Sequence, residues 1–325
     1  MSIARLLSMS LMLTLLVGCA TPYMPATLPA KIAPLNAQAA TEQSQARAFV
    51  HHYGHFPGFA GVELFEQAWL PNQAPTAVLI IVHGLKDHSS RYERTARALV
   101  ERGFGVHAFD LRGHAHSAGQ RVHIDQFDDY LADLRIFVER VREQHPRTPL
   151  LLFGHSMGGA IVTRFAQRHP GQVQGLALSA AALQVNEASI TLAGTRILAA
   201  MLPGAPLFNL DLADFSRDPD VVKAGLADPL VYQDAAPVHT AQELISTIDQ
   251  IQLDVSSLTL PLLVMHGTAD SVTPPEGSRT LYEQAPATNK RLRLYEGLAH
   301  DLLHEPEKDL VVGDLAEWMK EVARL

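Results

Sequence analysis

The chain has 325 residues, a formal net charge of −8 at pH 7 and a pI of about 6.0. This length suits one large domain with an insertion, or two modest domains. No run of Lys or Arg exceeds two residues. The acidic balance therefore excludes nucleic acid as a partner, because phosphate binding needs a concentrated basic face.

The N-terminus has the pattern of an export signal. A single Arg is followed by "LLSMSLMLTLLV", which is long enough for a signal-peptide core but shorter than the roughly 20 residues of a spanning helix. The pattern ends in "LVGC", where Cys19 is the only cysteine of the chain. It resembles a bacterial lipoprotein signal, in which cleavage before Cys19 exposes this residue for lipid attachment. The alternative is an ordinary export signal with an incidental cysteine.

Two further features bear on the predicted location. An exported chain with one cysteine has no intramolecular disulfide to form, which favours Cys19 as an anchor point. Ala20 stands where Asp would mark retention at the inner membrane, so we expect a lipid anchor in the bacterial cell envelope, in the outer membrane and facing the periplasm. Residues 1–18 are the predicted signal peptide, and residues 19–48, rich in Pro, Ala, Gln and Thr, are a predicted flexible tether.

Residues 49–325 are the predicted folded domain, in which short apolar runs alternate with helical patterns. The leading "VELFEQAWL" alternates apolar and polar residues, as an edge hairpin strand would. Strands are then predicted at "AVLIIVH", "FGVHAFD", "PLLLFGH" and "VQGLALSA", with helices at 92–102, "FDDYLADLRIFVERVREQH" and 157–168 between them. Continuous apolar runs between helices are typical of a parallel sheet covered on both faces. The predicted fold class is α/β.

This rhythm breaks at about residues 181–256, where helical stretches and loops occur without a clear strand. It resumes with "LPLLVMHG", "GSRTLYEQA", "KRLRLYEG" and a last helix that ends in "LAEWMKEVARL". An insertion between two late strands would form a helical cap over the C-terminal edge of the sheet. Open α/β sheets bind their ligands at that edge.

The stretch "GHSMG" lies between a predicted strand and a predicted helix. A nucleophile elbow needs small residues two positions on either side of the serine, because the turn is tight and strained. Gly154 and Gly158 meet that need, so Ser156 is the candidate nucleophile. In isolation the pattern is weak, and the alternative is a Gly-rich turn with an inert serine.

Asp270 and His300 each follow one of the two late strand patterns. The chain order Ser156, Asp270, His300 is the order expected for an α/β-hydrolase. In that arrangement the acid holds the imidazole tautomer, and the imidazole moves a proton between the serine and the leaving alcohol. The predicted oxyanion donors are the backbone N–H groups of Met157, after the serine, and of Leu85, in the loop "VHGLKDHSSRY".

Other titratable groups compete for these roles. His304 lies one helical turn after His300 and is predicted to lie inside the final helix, while Asp301 is predicted to begin or cap that helix. Asp249 and Asp254 are competing acids in or near the cap. The histidines His51, His52 and His55 cluster before the core, but without a matching carboxylate pattern they predict no metal site.

Together these motifs resemble a family, the monoacylglycerol lipase and lysophospholipase-like serine hydrolases of the α/β-hydrolase superfamily. The matching stretches run in order from about residue 60 to 318 and are "HGLKDHSSRY", "AFDLRGHAHSAGQR", "GHSMGG", "SRDPDV", "DPLVY", "HGTADSVTPP" and "YEGLAHDLLHEP". The resemblance implies a mostly parallel central sheet flanked by helices, with a helical cap inserted between late strands. It also implies Ser156, Asp270 and His300 as the triad, with Leu85 and Met157 as the oxyanion donors.

The chain departs from the family pattern at a few positions. Lys86 and Asp87 replace the usual Gly-Glu of His-Gly-x-Gly-Glu-His, and Ala115 replaces the second Gly of Gly-His-Gly-x-Ser. Lys86 sits beside the oxyanion loop, so the mouth of the site is expected to carry a positive charge. These departures concern the preference for the alcohol side of the substrate and leave the triad intact.

The expected function is a lipid-anchored serine carboxylic-ester hydrolase that cleaves monoacylglycerols or lysophospholipids through an acyl-enzyme at Ser156. Its expected partners are a lipid-like acyl ester and, through lipidated Cys19, the membrane; no cofactor is implied. The apolar cap stretch "ILAAMLPGAPLFNL" is either an acyl-chain tunnel or membrane-facing surface, or the buried side of a cap helix. The alternatives are a short-acyl esterase, an amidase or peptidase, a perhydrolase, and a non-catalytic lipid-binding lipoprotein.

Overall fold

The computed structural model describes residues 49–184, 202, 205–208 and 211–325. The predicted signal peptide, the predicted tether and Cys19 lie outside the described residues. Most of the apolar cap stretch 197–210 lies outside them as well. The predictions made for these segments stay predictions.

Strands and helices alternate along most of the described chain. Their bounds are β1 (Phe49–Pro57), β2 (Glu63–Pro71), β3 (Val78–Val82), α1 (Glu93–Val100), β4 (Gly105–Phe109), α2 (Phe127–Gln144), β5 (Leu150–His155), α3 (Met157–Arg168), β6 (Gly175–Ser179), β7 (Pro206–Phe208), α4 (Pro219–Ala227), β8 (Ala236–Pro237), α5 (Val238–Leu253), β9 (Leu262–Gly267), α6 (Pro275–Gln284), β10 (Lys290–Tyr295) and α7 (Lys308–Val322).

Eight of the described strands form one sheet in the order β1-β2-β4-β3-β5-β6-β9-β10. The pairs β1–β2 and β2–β4 are antiparallel, and the other neighbours are parallel. Every residue of β3, β5 and β6 is buried, because apolar clusters cover both faces of the sheet. Phe137 of α2 belongs to one cluster and Trp318 of α7 to the other. The predicted α/β class, with its mostly parallel sheet, is confirmed.

Strand β1 was not expected from the sequence. All nine of its residues pair with β2, and the ring of His51 stacks on Trp69 of β2 at 4.8 Å. The segment "FVHHYGHFP" has no apolar alternation, since only Phe49 and Phe56 are buried in it. The hydrophobic pattern of the sequence therefore does not reveal the backbone hydrogen bonds that pair β1 with β2.

Strands β6 and β9 are neighbours in the main sheet, and the described residues between them add no strand to that sheet. This segment contributes β7, α4, β8 and α5. The sequence predicts no clear strand in this region. That prediction is wrong, because β7 and β8 pair as a small two-stranded antiparallel sheet. They are three and two residues long, too short to leave a period in the sequence.

The parallel strands β3, β5, β9 and β10 point the same way, so their carboxyl ends share one edge of the sheet. Leu85 follows β3, Ser156 follows β5, Asp270 follows β9 and His300 follows β10. The topology therefore brings these four predicted site residues to the same edge.

Candidate active site

Ser156 occupies a strained turn between β5 and α3, with φ 53° and ψ −122°. A non-glycine residue rarely has a positive φ, and such outliers concentrate at functional sites. The turn is tight because backbone surrounds it. A Cβ at Gly154 would lie 2.4 Å from the carbonyl oxygen of Gly158, and one at Gly158 would lie 2.2 Å from that of Val82. Glycine is thus required on both sides of the serine.

Asp270 and His300 form a buried pair. Oδ2 of Asp270 lies 2.8 Å from Nδ1 of His300, and neither side chain is exposed to solvent. A carboxylate only accepts hydrogen bonds, so Nδ1 of the imidazole carries the hydrogen. In the neutral imidazole Nε2 then has a free lone pair. Nε2 of His300 is buried, and no described residue forms a hydrogen bond with it. This arrangement is the one a general base requires.

Asp270 is held by more groups than the sequence indicated. His266 Nε2 lies 3.0 Å from Oδ2, and the hydroxyl of Thr273 lies 2.9 Å from the same oxygen. The other oxygen, Oδ1, accepts from the backbone N–H groups of Val272 (2.8 Å) and Thr273 (2.9 Å). Burial alone would raise the pKa of Asp270, but the charge of His300 and the hydrogen bonds from His266 and His300 hold it well below its usual range.

His266 is the site residue that sequence reasoning missed. Its Nε2 faces two acceptors, Asp270 Oδ2 and the carbonyl oxygen of Thr273 at 3.0 Å, so Nε2 carries the hydrogen. Its Nδ1 lies 2.7 Å from the hydroxyl of Ser278, which donates to it. The only signal in the sequence was a histidine four positions before Asp270, at the end of the same strand pattern.

Two rings pack against His300. The imidazole of His155 lies 4.8 Å away, between centroids, and the ring of Phe215 lies 5.1 Å away edge-on. Burial lowers the pKa of His155 to about 4, so this ring is neutral at pH 7 and adds no charge beside the base. Phe215 belongs to the segment between β6 and β9, so that segment contributes directly to the surroundings of His300.

The loop after β3 lies against the serine, because a Cβ at Gly84 would come within 3.0 Å of the Cβ of Ser156. His83 fixes this loop. Its Nε2 accepts from the N–H of Leu111 (2.9 Å), and its Nδ1 donates to the carbonyl of Gly84 (2.8 Å). Burial lowers the pKa of His83, which keeps it in the neutral form that these two bonds need.

The anchoring of Gly84 orients the predicted oxyanion donor. In a trans peptide the C=O of one residue and the N–H of the next point in opposite directions. Because His83 holds the Gly84 carbonyl on its own side, the N–H of Leu85 points the other way. No described hydrogen bond uses this N–H. The N–H of Met157 stands at the first position of α3, where helix geometry leaves it without an intrahelical acceptor.

Two departures from the family pattern fall at positive φ. Lys86 has φ 69° and Ala115 has φ 37°, conformations that the usual glycine adopts without strain. Lys86 is only 3% exposed. The pKa of its ammonium is lowered, because the effect of burial exceeds the opposing effect of the Asp234 charge. The N–H of Tyr232 donates to the Lys86 carbonyl at 3.1 Å, so this loop is tied to the segment between β6 and β9.

The competing residues form contacts outside the triad. His304 was expected inside the final helix, which is wrong: it lies in a turn before α7, which begins at Lys308. Asp254 pairs with Arg164 on the surface. His51, His52 and His55 lie on β1. No group of three or more His, Cys, Asp or Glu side chains in the described ranges is placed to hold a metal ion.

A mostly parallel sheet with a strained serine turn, a buried Asp–His pair and free backbone donors at its carboxyl edge defines a serine hydrolase of the α/β-hydrolase fold. Residues 73–307 match the family model described as serine aminopeptidase, S33, which covers well over half of the chain. The chain belongs to this family. The predicted fold and enzyme class are confirmed.

Named relatives support the same class. The chain is 36% identical over 266 residues to a monoacylglycerol lipase of Mycolicibacterium smegmatis, covering 81% of this chain and 95% of that one. It is 31% identical over 272 residues to the human monoglyceride lipase, covering 82% and 90%. Among solved structures, the monoacylglycerol lipase of Paleococcus ferrophilus matches with a TM-score of 0.71 and 28% identity, covering 85% of this chain and all of that one.

Proposed function

We propose that the chain hydrolyses lipid carboxylic esters, monoacylglycerols or lysophospholipids, through an acyl-enzyme on Ser156. The observation that carries this proposal is the 2.8 Å contact between Asp270 and His300, which leaves the buried Nε2 of the imidazole free to accept a proton. The relatives described as monoacylglycerol and monoglyceride lipases support a lipid ester as the substrate.

The first half-reaction forms the acyl-enzyme. His300 Nε2 takes the proton of the Ser156 hydroxyl as Oγ attacks the ester carbonyl, and the N–H groups of Leu85 and Met157 stabilise the oxyanion. When the tetrahedral intermediate collapses, the C–O bond to the alcohol breaks. The imidazolium returns the proton to the leaving oxygen, and the alcohol departs.

The second half-reaction repeats these steps with water. His300 removes a proton from a water molecule, whose oxygen attacks the acyl carbonyl, and Ser156 leaves with that proton. The fatty acid is released and the enzyme is restored. Throughout, the ionised Asp270 stabilises the imidazolium without being protonated itself. The groups that acyl transfer needs are all side chains or backbone of this chain, so the proposal includes no cofactor.

The test is ester release by the full chain in detergent, with 1-monoacylglycerols, lysophosphatidylcholine and p-nitrophenyl esters of several acyl lengths. Ser156→Ala is expected to lower turnover by about 10⁴- to 10⁶-fold. Ser179→Ala is a matched control, because its buried hydroxyl on the neighbouring strand has no hydrogen-bond partner in the described part of the chain. Activity on aminoacyl anilides with none on any ester would replace the proposal with an amidase.

We further propose that Cys19 is lipidated and anchors the enzyme in the bacterial outer membrane, facing the periplasm. The supporting observation is the sequence of residues 1–19, an apolar core that ends in "LVGC". No helix in the described ranges is long and apolar enough to cross a bilayer. An anchor near membrane lipids would raise the effective concentration of acyl esters.

Detergent phase partitioning of the expressed full-length gene product tests the anchor. The native chain is expected in the detergent phase and Cys19→Ser in the aqueous phase, with labelled fatty acid incorporated only into the former. Equal partitioning of the two proteins, without label, would overturn the lipid anchor. Separation of inner and outer membranes then tests which membrane holds it.

A further inference from the structure

A buried ion network outside the triad joins the oxyanion loop to the loop that carries the base. Arg91 lies at its centre. Its Nη1 is 3.1 Å from Asp87 Oδ1, and its Nη2 is 2.8 Å from Asp301 Oδ2. Asp87 comes two residues after Leu85, and Asp301 comes directly after His300. One guanidinium therefore connects the neighbours of two groups that must act on the same carbonyl.

Other groups hold both aspartates as well. Asp87 accepts from the hydroxyl of Tyr92 at 3.0 Å and from the N–H of His88 at 2.8 Å. The N–H of Asp301 donates to the carbonyl of Phe215 at 2.7 Å. The side chains of Arg91, Asp87 and Asp301 are 16%, 7% and 4% exposed. Water therefore has little access to these pairs, and removing one partner would leave a buried charge unpaired.

His304 completes the network as a second cation. Its Nδ1 lies 2.7 Å from Asp301 Oδ1, and its Nε2 lies 2.9 Å from the carbonyl oxygen of Arg91. Both partners only accept hydrogen bonds, so both ring nitrogens carry hydrogens and the ring is an imidazolium. Burial by itself would lower the pKa of His304, but the carboxylate of Asp301 outweighs it and raises the pKa. Two carboxylates are thus balanced by two cations.

We propose that Arg91 is a positioning residue, which sets the separation between the oxyanion N–H of Leu85 and Nε2 of His300. This inference rests on the proposed ester hydrolysis. The forked guanidinium reaches both loops at once with fixed geometry, whereas an ammonium is a single point of charge. Misplacing catalytic groups by about 1 Å can cost on the order of 10²-fold in rate. Because Arg91 holds the two loops in a fixed relative position, we expect its replacement to lower kcat.

The alternative is that the network only stabilises the fold. The two roles predict different turnover numbers for the enzyme molecules that remain folded. A purely stabilising pair, when weakened, reduces the fraction of active enzyme but leaves each active molecule with its normal turnover. A positioning residue, when changed, lowers the turnover of every active molecule and slows acylation of the serine.

The experiment uses the full chain with Arg91→Lys, Arg91→Met and Asp301→Asn. A fluorophosphonate is incubated to completion to count reactive serines, and its labelling rate is recorded separately. We expect kcat per reactive serine to fall about 10- to 100-fold in Arg91→Lys, with KM changed by less than about threefold, and the labelling rate to fall in parallel. Arg91→Met is expected to fall further. Asp301→Asn keeps the size of the side chain and provides the measurement if Arg91→Met does not fold.

The matched control is Arg112→Lys. Arg112 is also buried and binds Asp133 through two nitrogens, at 2.6 and 2.8 Å, but contacts neither Asp87 nor Asp301. Its variant is expected to lose thermal stability while keeping kcat per reactive serine within about twofold, as independent sites do.

Two results would overturn the inference in distinguishable ways. If Arg91→Lys and Asp301→Asn lower only the number of reactive serines, with kcat per serine and the labelling rate unchanged, the network is purely stabilising. If the wild type cleaves no ester, the proposed function fails, and the positioning role fails with it.

Discussion

Asp270 Oδ2 lies 2.8 Å from Nδ1 of His300, and both side chains are completely buried. The carboxylate determines which ring nitrogen carries the hydrogen, so the basic nitrogen is the one that faces away from Asp270. Three further donors hold the carboxylate, from His266, Val272 and Thr273. The base is therefore oriented by a carboxylate that is itself held by hydrogen bonds.

Replacing Asp270 by Asn tests this tautomer control directly. The amide of Asn can donate to Nδ1, which favours the tautomer with hydrogen on Nε2 and leaves the base unable to accept a proton. We expect kcat to fall by about 10⁴-fold with the fold retained. The measurement is ester turnover with circular dichroism of the variant. Asp254→Asn, at a surface ion pair, serves as the control, and a loss below about tenfold at Asp270 would contradict the assigned role.

His266 is predicted to act through Asp270. His266→Ala removes a donor to a buried carboxylate, and hydrogen bonds to charged groups contribute about 1.5–3 kcal/mol. We expect kcat to fall roughly 10- to 100-fold with KM little changed. His266→Gln keeps an N–H near the position of Nε2 and is expected to recover part of the loss. Equal losses in the Ala and Gln variants would mean that the ring fills space and does not donate.

The serine turn is predicted to tolerate no side chain at Gly158. A Cβ there would lie 2.2 Å from the carbonyl oxygen of Val82 and 2.5 Å from that of His83, and neither backbone can move aside cheaply. Gly158→Ala is expected to cost about 3 kcal/mol or more of stability. Gly313→Ala in α7 meets nothing within 4 Å and is expected to add about 0.5–1 kcal/mol. Thermal melts compare the two, and shifts of the same sign would contradict the close packing.

His304 is predicted to make stability depend on alkaline pH. Its pKa is raised in the folded protein above the unfolded value of about 6.5. A raised pKa contributes stability that is fully present below the unfolded value and is lost as the pH rises through the folded value. Each unit of the raised pKa corresponds to about 1.4 kcal/mol.

The measurement for His304 is the free energy of unfolding in urea between pH 6 and pH 10, for the wild type and for His304→Gln. The wild type is expected to lose more stability over this range than the variant, because only the wild type loses this proton. An equal or smaller loss in the wild type would show that the ring is neutral in the folded state.

Much of the site was predictable because local patterns reflect local physics. A run of apolar residues such as "PLLLFGH" predicts a strand buried on both faces, and small residues around Ser156 predict a tight turn. The carboxyl ends of parallel strands share an edge, so residues following such strands were expected together. Asp270 and His300 do lie together there.

Other features of the fold leave no local pattern, for physical reasons. Strand β1 has no hydrophobic period, because it lies at the edge of the sheet and most of its side chains are exposed or half-buried. The spacing of His304 from His300 predicts a helical position, but His304 lies in a turn, where it contacts Asp301 and the carbonyl of Arg91. A short-range pattern carries no information about contacts with residues distant in the chain, such as the contact between His304 and the Arg91 carbonyl.

By itself, the sequence determined the order of the central parallel strands and the helices between them, the tight turn at Ser156 and the residues that follow each of these strands. Each of these features depends on a hydrophobic pattern or a glycine position within a few residues of the chain. Only the tertiary structure decided that His266 donates to Asp270 and that Arg91 joins Asp87 to Asp301, more than 200 positions apart. Such contacts depend on how loops without any periodic pattern pack against each other, and that packing is a property of the whole fold.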